Sequence, residues 1–225
     1  MPPYKRESPL TGPYAALRND MYFKDNDPKT PYAFSQKDKK VILASASPRR
    51  KELCQAMGLS FTVSPTDADE SLSAEISAKE GALIIAKRKA EAGRSLLPPN
   101  GILIAADTVV DRDGEALGKP KDGKEALSML LSLSGKTHYV HTGVAVLSGE
   151  RLLCGVDTTA VTFRAFDEKE ALAYVKTGEP MDKAGAYGIQ GLGGALVDSI
   201  EGAFDNVVGL PTRLLDRLLC EVTNG

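Results

Sequence analysis

The hydrophobic residues of this sequence occur in short unbroken runs and in helical repeats, a pattern typical of an α/β fold. The first run, residues 41–44, leads into Ser47 and Pro48, which suit the N-cap and the first position of a helix. Another run, residues 101–106, has the continuous apolar character of a strand buried on both faces of a sheet. We therefore expect a central sheet that contains both strands.

The remaining pattern predicts further helices and strands along the chain. Helices are expected at about 48–57, 73–94, 123–134, 168–177 and 211–222, and strands at 61–64, 108–112, 115–118, 139–147, 151–156, 158–163 and 195–200. Asp113-Gly114 is a strong two-residue hairpin signal between two of these strands. The strands between 137 and 163 are expected to form an antiparallel meander.

The first forty residues differ from the rest of the chain. They contain six of the thirteen prolines and show little periodic apolar pattern. Such a composition favours a segment that does not build a core of its own. We interpret residues 1–40 as a loosely ordered N-terminal extension ahead of a single domain at 41–225.

Charge and cysteine content narrow the classes of partner. The 28 basic and 30 acidic residues give a net charge of −2 with no long basic run, which argues against a nucleic-acid polymer or an anionic membrane as partner. Cys54, Cys154 and Cys220 are scattered and lack metal-site spacing, as is usual in a reducing compartment. Without a long apolar stretch or a signal peptide, a cytoplasmic protein is expected.

Two arginines occupy an unfavourable place at the start of the first helix. If Ser47 is the N-cap, Arg49 and Arg50 take the second and third helical positions, beside the positive end of the helix dipole. A bound anion between the guanidinium groups and the backbone N–H groups would make this arrangement favourable. The sequence therefore predicts a polyphosphate site.

Further candidate groups follow along the chain. Asp107 comes directly after the apolar run at 101–106, where open α/β sheets place ligands, and burying it without a partner would be costly. Glu70 lies in a polar loop with two other carboxylates, and the loop by itself favours a solvated surface segment. Lys89 can lean inward from the second helix, and Lys119 follows the hairpin, where a lysine is usually a surface residue.

A glycine-rich segment, residues 181–194, is the second unusual stretch, since five of its last ten residues are glycine. Glycine loses much backbone entropy on ordering, so this density indicates either a flexible linker or a backbone shaped for a ligand. The strand and helix that follow favour the second interpretation. Lys183, Tyr187 and Gln190 supply a cation, a ring and an amide, which suit recognition of a base edge.

Five motifs in order carry a resemblance to one protein family: 45–53, 106–110, 118–120, 182–191 and 206–211. Together they resemble the Maf family of nucleoside triphosphate pyrophosphatases. The resemblance implies an inosine-triphosphatase-like α/β fold, with two lobes around a cleft and a long mixed sheet. It also implies hydrolysis at the α-phosphorus to a monophosphate and pyrophosphate, a divalent cation (Mg²⁺, with Mn²⁺ or Co²⁺ as alternatives) and a homodimer.

The resemblance also assigns roles to individual residues of this chain. It implies that Asp107 and Glu70 are catalytic and hold the metal, and that Lys89 and Lys119 are catalytic lysines of the cleft. The predicted substrate-binding residues are Ser45, Ser47, Arg49, Arg50, Thr108, Lys183 and Gln190. Among them, the positions implied to select the nucleotide are Arg50, Thr108 and Gln190.

Residues 182–187 resemble the branch of the family that prefers dTTP and UTP, which implies a house-cleaning role toward these or modified pyrimidine nucleotides. Two alternatives stay open. One is a pyrophosphatase for 7-methyl-GTP, and the other is a non-catalytic nucleotide sensor that regulates cell division. The carboxylates beside the cations argue against the sensor, because triphosphate binding alone would favour fewer negative groups near the anion.

Overall fold

The computed structural model describes residues 31–73 and 75–224. Within them, the strands are β1 (Lys40–Leu43), β2 (Phe61–Val63), β3 (Gly101–Arg112), β4 (Glu115–Leu117), β5 (Thr137–Ser148), β6 (Arg151–Phe163) and β7 (Val197–Glu201). The helices are α1 (Pro48–Ala56), α2 (Ala78–Ala92), α3 (Gly123–Leu133), α4 (Glu168–Val175), α5 (Phe204–Val208) and α6 (Thr212–Thr223). Short 3-10 turns lie at Arg94–Leu96, Glu179–Asp182, Ala184–Ala186 and Leu192–Leu196.

The described strands form one mixed sheet in the order β2-β1-β3-β5-β6-β7, with β4 paired to the end of β3. The pairs β1–β2 and β1–β3 are parallel, and the others are antiparallel. The predicted α/β class, the hairpin at Asp113-Gly114 and the antiparallel meander are thus confirmed. The long strands β3, β5 and β6 contribute residues to more than one hydrophobic core.

Side chains of the central strands point alternately to opposite faces, and each face is covered by helices. On one face, Ile102 and Ile104 pack with α6 residues such as Leu215 and Leu219. On the other face, Leu103 lies in a core with α2 residues. This arrangement explains why the run at 101–106 is continuously apolar.

A second core lies at the far ends of β3, β5 and β6. It contains Val110, Val140 and Phe163, together with residues of α3 and α4 and of the glycine-rich segment, such as Tyr187. The molecule therefore has two lobes that share one sheet, as the resemblance implied. The cleft described below lies between them.

Three predicted boundaries were wrong. The strand predicted to end at 106 continues as β3 to Arg112, because β5 pairs with it through the register Asp107↔Gly143 and beyond. The two strands predicted at 151–156 and 158–163 are one strand, β6. The helix predicted from about 73 begins as α2 at Ala78, where Ser77 and Glu80 form a capping box.

The described end of the predicted extension lies against α6. The Tyr32 hydroxyl donates to Thr212 Oγ1 at 3.0 Å, and the backbone N–H groups of Ala33 and Phe34 donate to the Asp216 carboxylate at 2.9 and 2.8 Å. Residues 1–30 lie outside the described part of the chain, so the loosely ordered extension stays a prediction there. No helix within 31–73 and 75–224 has both the length and the hydropathy to cross a membrane.

Candidate functional site

A cleft of about 1220 Å³ opens between the two lobes. It is lined by residues between Ala44 and Gly209, and they include members of both lobes. All the residues predicted to form the site line it: Ser45, Ser47, Arg49, Arg50, Glu70, Lys89, Asp107, Thr108, Lys119, Lys183 and Gln190. The fold thus brings residues that are far apart in the sequence together in one cavity.

The start of α1 forms one end of the cleft as predicted. Ser47 is the N-cap and its hydroxyl accepts from Arg50 N, while Pro48 occupies the first helical position. Ser45 Oγ accepts from Ser47 N at 3.2 Å, which tightens the turn between β1 and α1. The first turn of α1 contains no acidic residue, so its N–H groups and its arginines present only positive potential to the cleft.

The guanidinium of Arg50 is held by three neutral acceptors. Nε donates to Gly209 O at 2.8 Å, one terminal nitrogen donates to Ser45 Oγ at 3.2 Å, and the other donates to Thr108 Oγ1 at 3.1 Å. Burial lowers the pKa of Arg50, an effect that the Asp107 carboxylate opposes. A partly buried cation with neutral hydrogen-bond partners favours the approach of an anion.

Two of the groups that fix Arg50 were missed by the sequence analysis. Thr142 lies beside Thr108, with 3.0 Å between their hydroxyl oxygens, and donates to Asn206 O at 2.9 Å. The Gly209 carbonyl is presented at the C-terminus of α5, where Gly209 has a φ of +119°. A threonine in a strand and a glycine after a short helix carry no local signal of such a role.

Lys89 is the centre of a compact charged group. Its Nζ lies 2.7 Å from Glu70 Oε1 and 2.7 Å from Asp107 Oδ1, although the three residues come from a loop, a helix and a strand. The side chains of Lys89 and Asp107 are only 15% and 16% exposed, whereas that of Glu70 is 60% exposed. Burial raises the pKa of Asp107, against the opposing effects of Lys89 and Arg50.

Gly143 explains how Lys89 reaches Asp107. It is paired with Asp107 in the sheet, so both face α2. A Cβ atom at Gly143 would lie 2.3 Å from the backbone oxygen of Ala82 in α2, so only glycine allows the helix to pack this closely. Two turns later on the same helix, Lys89 lies over the carboxylate of Asp107.

The donor set fits a divalent cation. The carboxylates of Glu70 and Asp107 converge on one point, which the Lys89 ammonium takes in the structure. Mg²⁺ binds through one or two carboxylates and completes its shell with water and substrate phosphates. Within 31–73 and 75–224, no group of three or more His, Cys, Asp or Glu residues is arranged to hold a metal ion.

The opposite side of the cleft is formed by the glycine-rich segment. The Lys183 ammonium donates to Glu179 O at 2.7 Å and to Asp182 Oδ1 at 2.6 Å, and Arg49 lies 3.8 Å from the other oxygen of Asp182. Lys119 is exposed at the cleft edge. We call residues 188–194, which include Gln190, the glycine loop, and the group formed by Arg49, Arg50, Glu70, Lys89 and Asp107 the charged wall.

Comparisons with known proteins identify the family of this chain. The family described as "Maf-like protein" matches residues 40–222. A dTTP/UTP pyrophosphatase of Desulfitobacterium hafniense (strain Y51) is 50% identical over 185 residues, covering 80% of this chain and 83% of that protein. A dTTP/UTP pyrophosphatase of Methylobacillus flagellatus is 46% identical over 181 residues, covering 80% of this chain and 91% of that protein.

Likeness to solved structures is weaker. The Staphylococcus aureus Ham1 protein matches with a TM-score of 0.38 and 16% identity, over 55% of this chain and 71% of that one. A nucleoside-triphosphatase (dITP/XTP pyrophosphatase) of Mycobacterium abscessus matches with a TM-score of 0.36 and 15% identity, over 55% and 72%. The family match spans most of the chain and includes the whole cleft, and this protein belongs to the family of Maf-like proteins.

Proposed function

We propose that this protein hydrolyses nucleoside triphosphates, with dTTP and UTP preferred, to the nucleoside monophosphate and pyrophosphate. The observation that carries the proposal is the convergence of the Glu70 and Asp107 carboxylates on Lys89 in a cleft that also presents the arginines of α1. The curated relatives named dTTP/UTP pyrophosphatase support the choice of substrate. Such an enzyme removes unwanted nucleotides, including modified pyrimidine nucleotides.

The cations of the cleft bind the triphosphate. A triphosphate carries about four negative charges, which must be neutralised before a nucleophile can approach phosphorus. Arg49, the N-terminus of α1 and Lys119 lie on the cleft surface, and Arg50 adds its charge from the floor. Arginine suits this role because its planar fork of donors matches phosphate oxygens.

Glu70 and Asp107 are the residues that would hold Mg²⁺, or Mn²⁺ or Co²⁺ in its place. When bound, such an ion neutralises charge that develops on the phosphate oxygens. Lys89 holds the two carboxylates close together, so both ligands would be in place when a cation takes the position of its ammonium. This preorganisation lowers the cost of reaching the reactive geometry.

Asp107 is the candidate general base. In the proposed reaction, water attacks the α-phosphorus, its proton passes to the Asp107 carboxylate, and pyrophosphate leaves. Burial raises the pKa of Asp107, which makes its carboxylate a stronger base than an exposed aspartate. Lys89, bonded to the same carboxylate, keeps it oriented toward the cleft.

Gln190 is the candidate reader of the base. Its amide can donate and accept hydrogen bonds at once, as the edge of thymine or uracil requires. Ser45 and Thr108 fix the guanidinium of Arg50, which we propose to contribute to nucleotide choice. Ser47 and Lys183 line the same cleft and complete the proposed binding residues.

A panel of triphosphates tests the function. Purified protein with Mg²⁺ is expected to release pyrophosphate and monophosphate from dTTP and UTP faster than from ATP, GTP or 7-methyl-GTP, and to stop when a chelator is added. A preference for 7-methyl-GTP would replace the proposed substrate. Tight nucleotide binding without turnover would support the nucleotide sensor instead.

The assembly and location are part of the same proposal. The resemblance to the family supports a homodimer, and the chemistry of free nucleotides supports a cytoplasmic protein. Light scattering coupled to gel filtration would give the mass in solution. A monomer mass at micromolar concentration would contradict the dimer.

A further inference from the structure

The glycine loop wraps around two side chains that the proposed reaction does not use. The Glu179 carboxylate accepts from the Tyr174 hydroxyl at 2.8 Å and from the backbone N–H groups of Leu192 and Gly193 at 2.9 and 3.1 Å. The Tyr174 oxygen in turn accepts from Gly188 N at 3.1 Å. Three backbone amides of one short segment therefore end on a single carboxylate–tyrosine pair.

Close approach to this pair explains why the loop needs glycine. A Cβ atom at Gly191 would lie 2.4 Å from Glu179 Oε2, and one at Gly193 would lie 2.5 Å from the Tyr174 oxygen. Neither glycine has a positive φ, so backbone conformation does not demand it. The glycines and the pair are thus fitted to each other, and the loop's shape depends on both.

The pair itself is firmly held. Tyr174 comes from α4, is 6% exposed and packs in the second core. Glu179 starts a 3-10 turn, and its carbonyl accepts from the Lys183 ammonium at 2.7 Å. A carboxylate that accepts three hydrogen bonds is fixed in orientation, because each bond to a charged acceptor is stronger than a neutral one.

Gln190 lies at the tip of the segment that the pair holds. Gly191 N donates to Gly188 O at 3.2 Å, which closes a tight turn around Gln190. Gly188, Gln190 and Gly191 line the cleft, while Tyr174 and Glu179 lie behind the loop and do not. The side chains of the pair therefore act on a ligand through the loop, and the contact of Glu179 with Lys183 is made by its backbone carbonyl, which a side-chain substitution leaves in place.

We propose that Glu179 and Tyr174 are positioning residues that hold Gln190 for recognition of the nucleobase. This proposal rests on the proposed function, since it assigns the base to the glycine loop. The pair sets the affinity for the base and leaves phosphate binding and the hydrolytic step to the charged wall. Without it, the loop must be ordered when the nucleotide binds, and that entropy cost weakens binding.

Kinetics of two variants separate the pair from the catalytic residues. Glu179→Gln is expected to raise KM for dTTP about tenfold and to change kcat less than about threefold, because base binding weakens while the charged wall is intact. Tyr174→Phe, which removes one donor and one acceptor, should show the same pattern with a smaller rise. Glu168→Gln is the matched control, since it neutralises an exposed carboxylate at the start of α4 and should behave like the wild type.

Binding without turnover gives a second, independent readout. Calorimetry in the absence of added divalent metal would compare dTTP with inorganic tripolyphosphate, which has no base. Glu179→Gln should weaken dTTP about tenfold and tripolyphosphate by less than about twofold. Amide hydrogen exchange at Leu192 and Gly193 should become faster, because both amides lose part of their acceptor.

The outcomes decide between the two proposals. Equal weakening of dTTP and tripolyphosphate, or wild-type values for both, would overturn the positioning role. If the wild-type protein hydrolyses no triphosphate, the proposed function fails, yet the contrast between dTTP and tripolyphosphate still decides what the pair does. If Glu179→Gln does not fold, Tyr174→Phe carries the same comparison.

Discussion

The two sides of the cleft are held in place by different means. Four of the five residues of the charged wall are on α1, α2 and β3, whose backbones are fixed by helical bonds, by the sheet and by two layers of core, and only Glu70 comes from a loop. The glycine loop has only short 3-10 turns, and the backbone N–H groups of Leu192 and Gly193 donate to the Glu179 carboxylate instead of to a neighbouring strand. The side proposed to carry the chemistry is therefore built mostly on regular structure, and the side proposed to choose the base depends on a few hydrogen bonds to one side-chain pair.

Carboxylates serve opposite purposes on the two sides. Glu70 and Asp107 share a single ammonium and are open to the cleft, so a ligand can exchange with that partner. The Glu179 carboxylate already accepts three hydrogen bonds, from Tyr174, Leu192 and Gly193, and it does not line the cleft. These different partners fit the different roles that we propose for the carboxylates on the two sides.

The largest effect is expected at the charged wall. Asp107→Asn keeps the shape of the side chain but removes the base, so kcat should fall roughly a thousandfold while KM for dTTP changes little. Pyrophosphate release measures the rate, and circular dichroism checks the fold. A variant that keeps a tenth or more of the wild-type rate would remove Asp107 from this role.

The free energy of unfolding should depend on pH through His138, which contacts Tyr187 just ahead of the glycine loop. Its Nε2 lies 2.9 Å from the Tyr187 hydroxyl, and burial lowers its pKa from 6.5 to about 4. Between pH 6.5 and about 4, His138 is protonated in the unfolded chain and neutral in the folded protein. The free energy of unfolding should therefore fall by up to roughly 3 kcal/mol as pH drops through this range.

Comparison with His138→Gln isolates this contribution. Chemical denaturation of both proteins across that pH range should show a steeper loss for the wild type than for the variant. The other histidine, His141, is present in both and cancels in the difference. Parallel curves would contradict the assignment to His138.

A smaller effect is expected inside the glycine loop. Gly191→Ala places a methyl group against the Glu179 carboxylate, so KM for dTTP should rise about tenfold with kcat nearly unchanged. Gly123→Ala is the control. Gly123 lies at the start of α3, and its added methyl group would lie 3.4 Å from Val175, which is ordinary van der Waals contact. A fall in kcat as large as the rise in KM would break the proposed separation of the two sides.

The smallest effect is expected outside the cleft. Tyr32→Phe removes the hydrogen bond to Thr212 and should lower the free energy of unfolding by about 1 kcal/mol. Thermal unfolding should shift down by a few degrees, with kcat and KM unchanged. A change in either kinetic constant would show that the segment ahead of β1 influences the cleft.

Local features of the sequence predicted much of the fold. The Ser47 cap, the apolar run at 101–106, the hairpin at Asp113-Gly114 and most helix positions were confirmed, because each signal depends on residues within one or two turns. The strand end at 106 was wrong for a physical reason. Asp107 looks like a strand end by polarity, but pairing with β5, far along the chain, continues the ladder.

By itself, the sequence determined which residues belong to the family motifs and where the first helix begins. Only the tertiary structure decided that α2 packs on Gly143 and so brings Lys89 to Asp107, and that Glu179 binds the amides of the glycine loop. These contacts join residues 13 to 61 positions apart, so no local pattern encodes them. The density of glycines in 181–194 favoured a backbone with a defined conformation, and only the fold showed that the Glu179 carboxylate binds it.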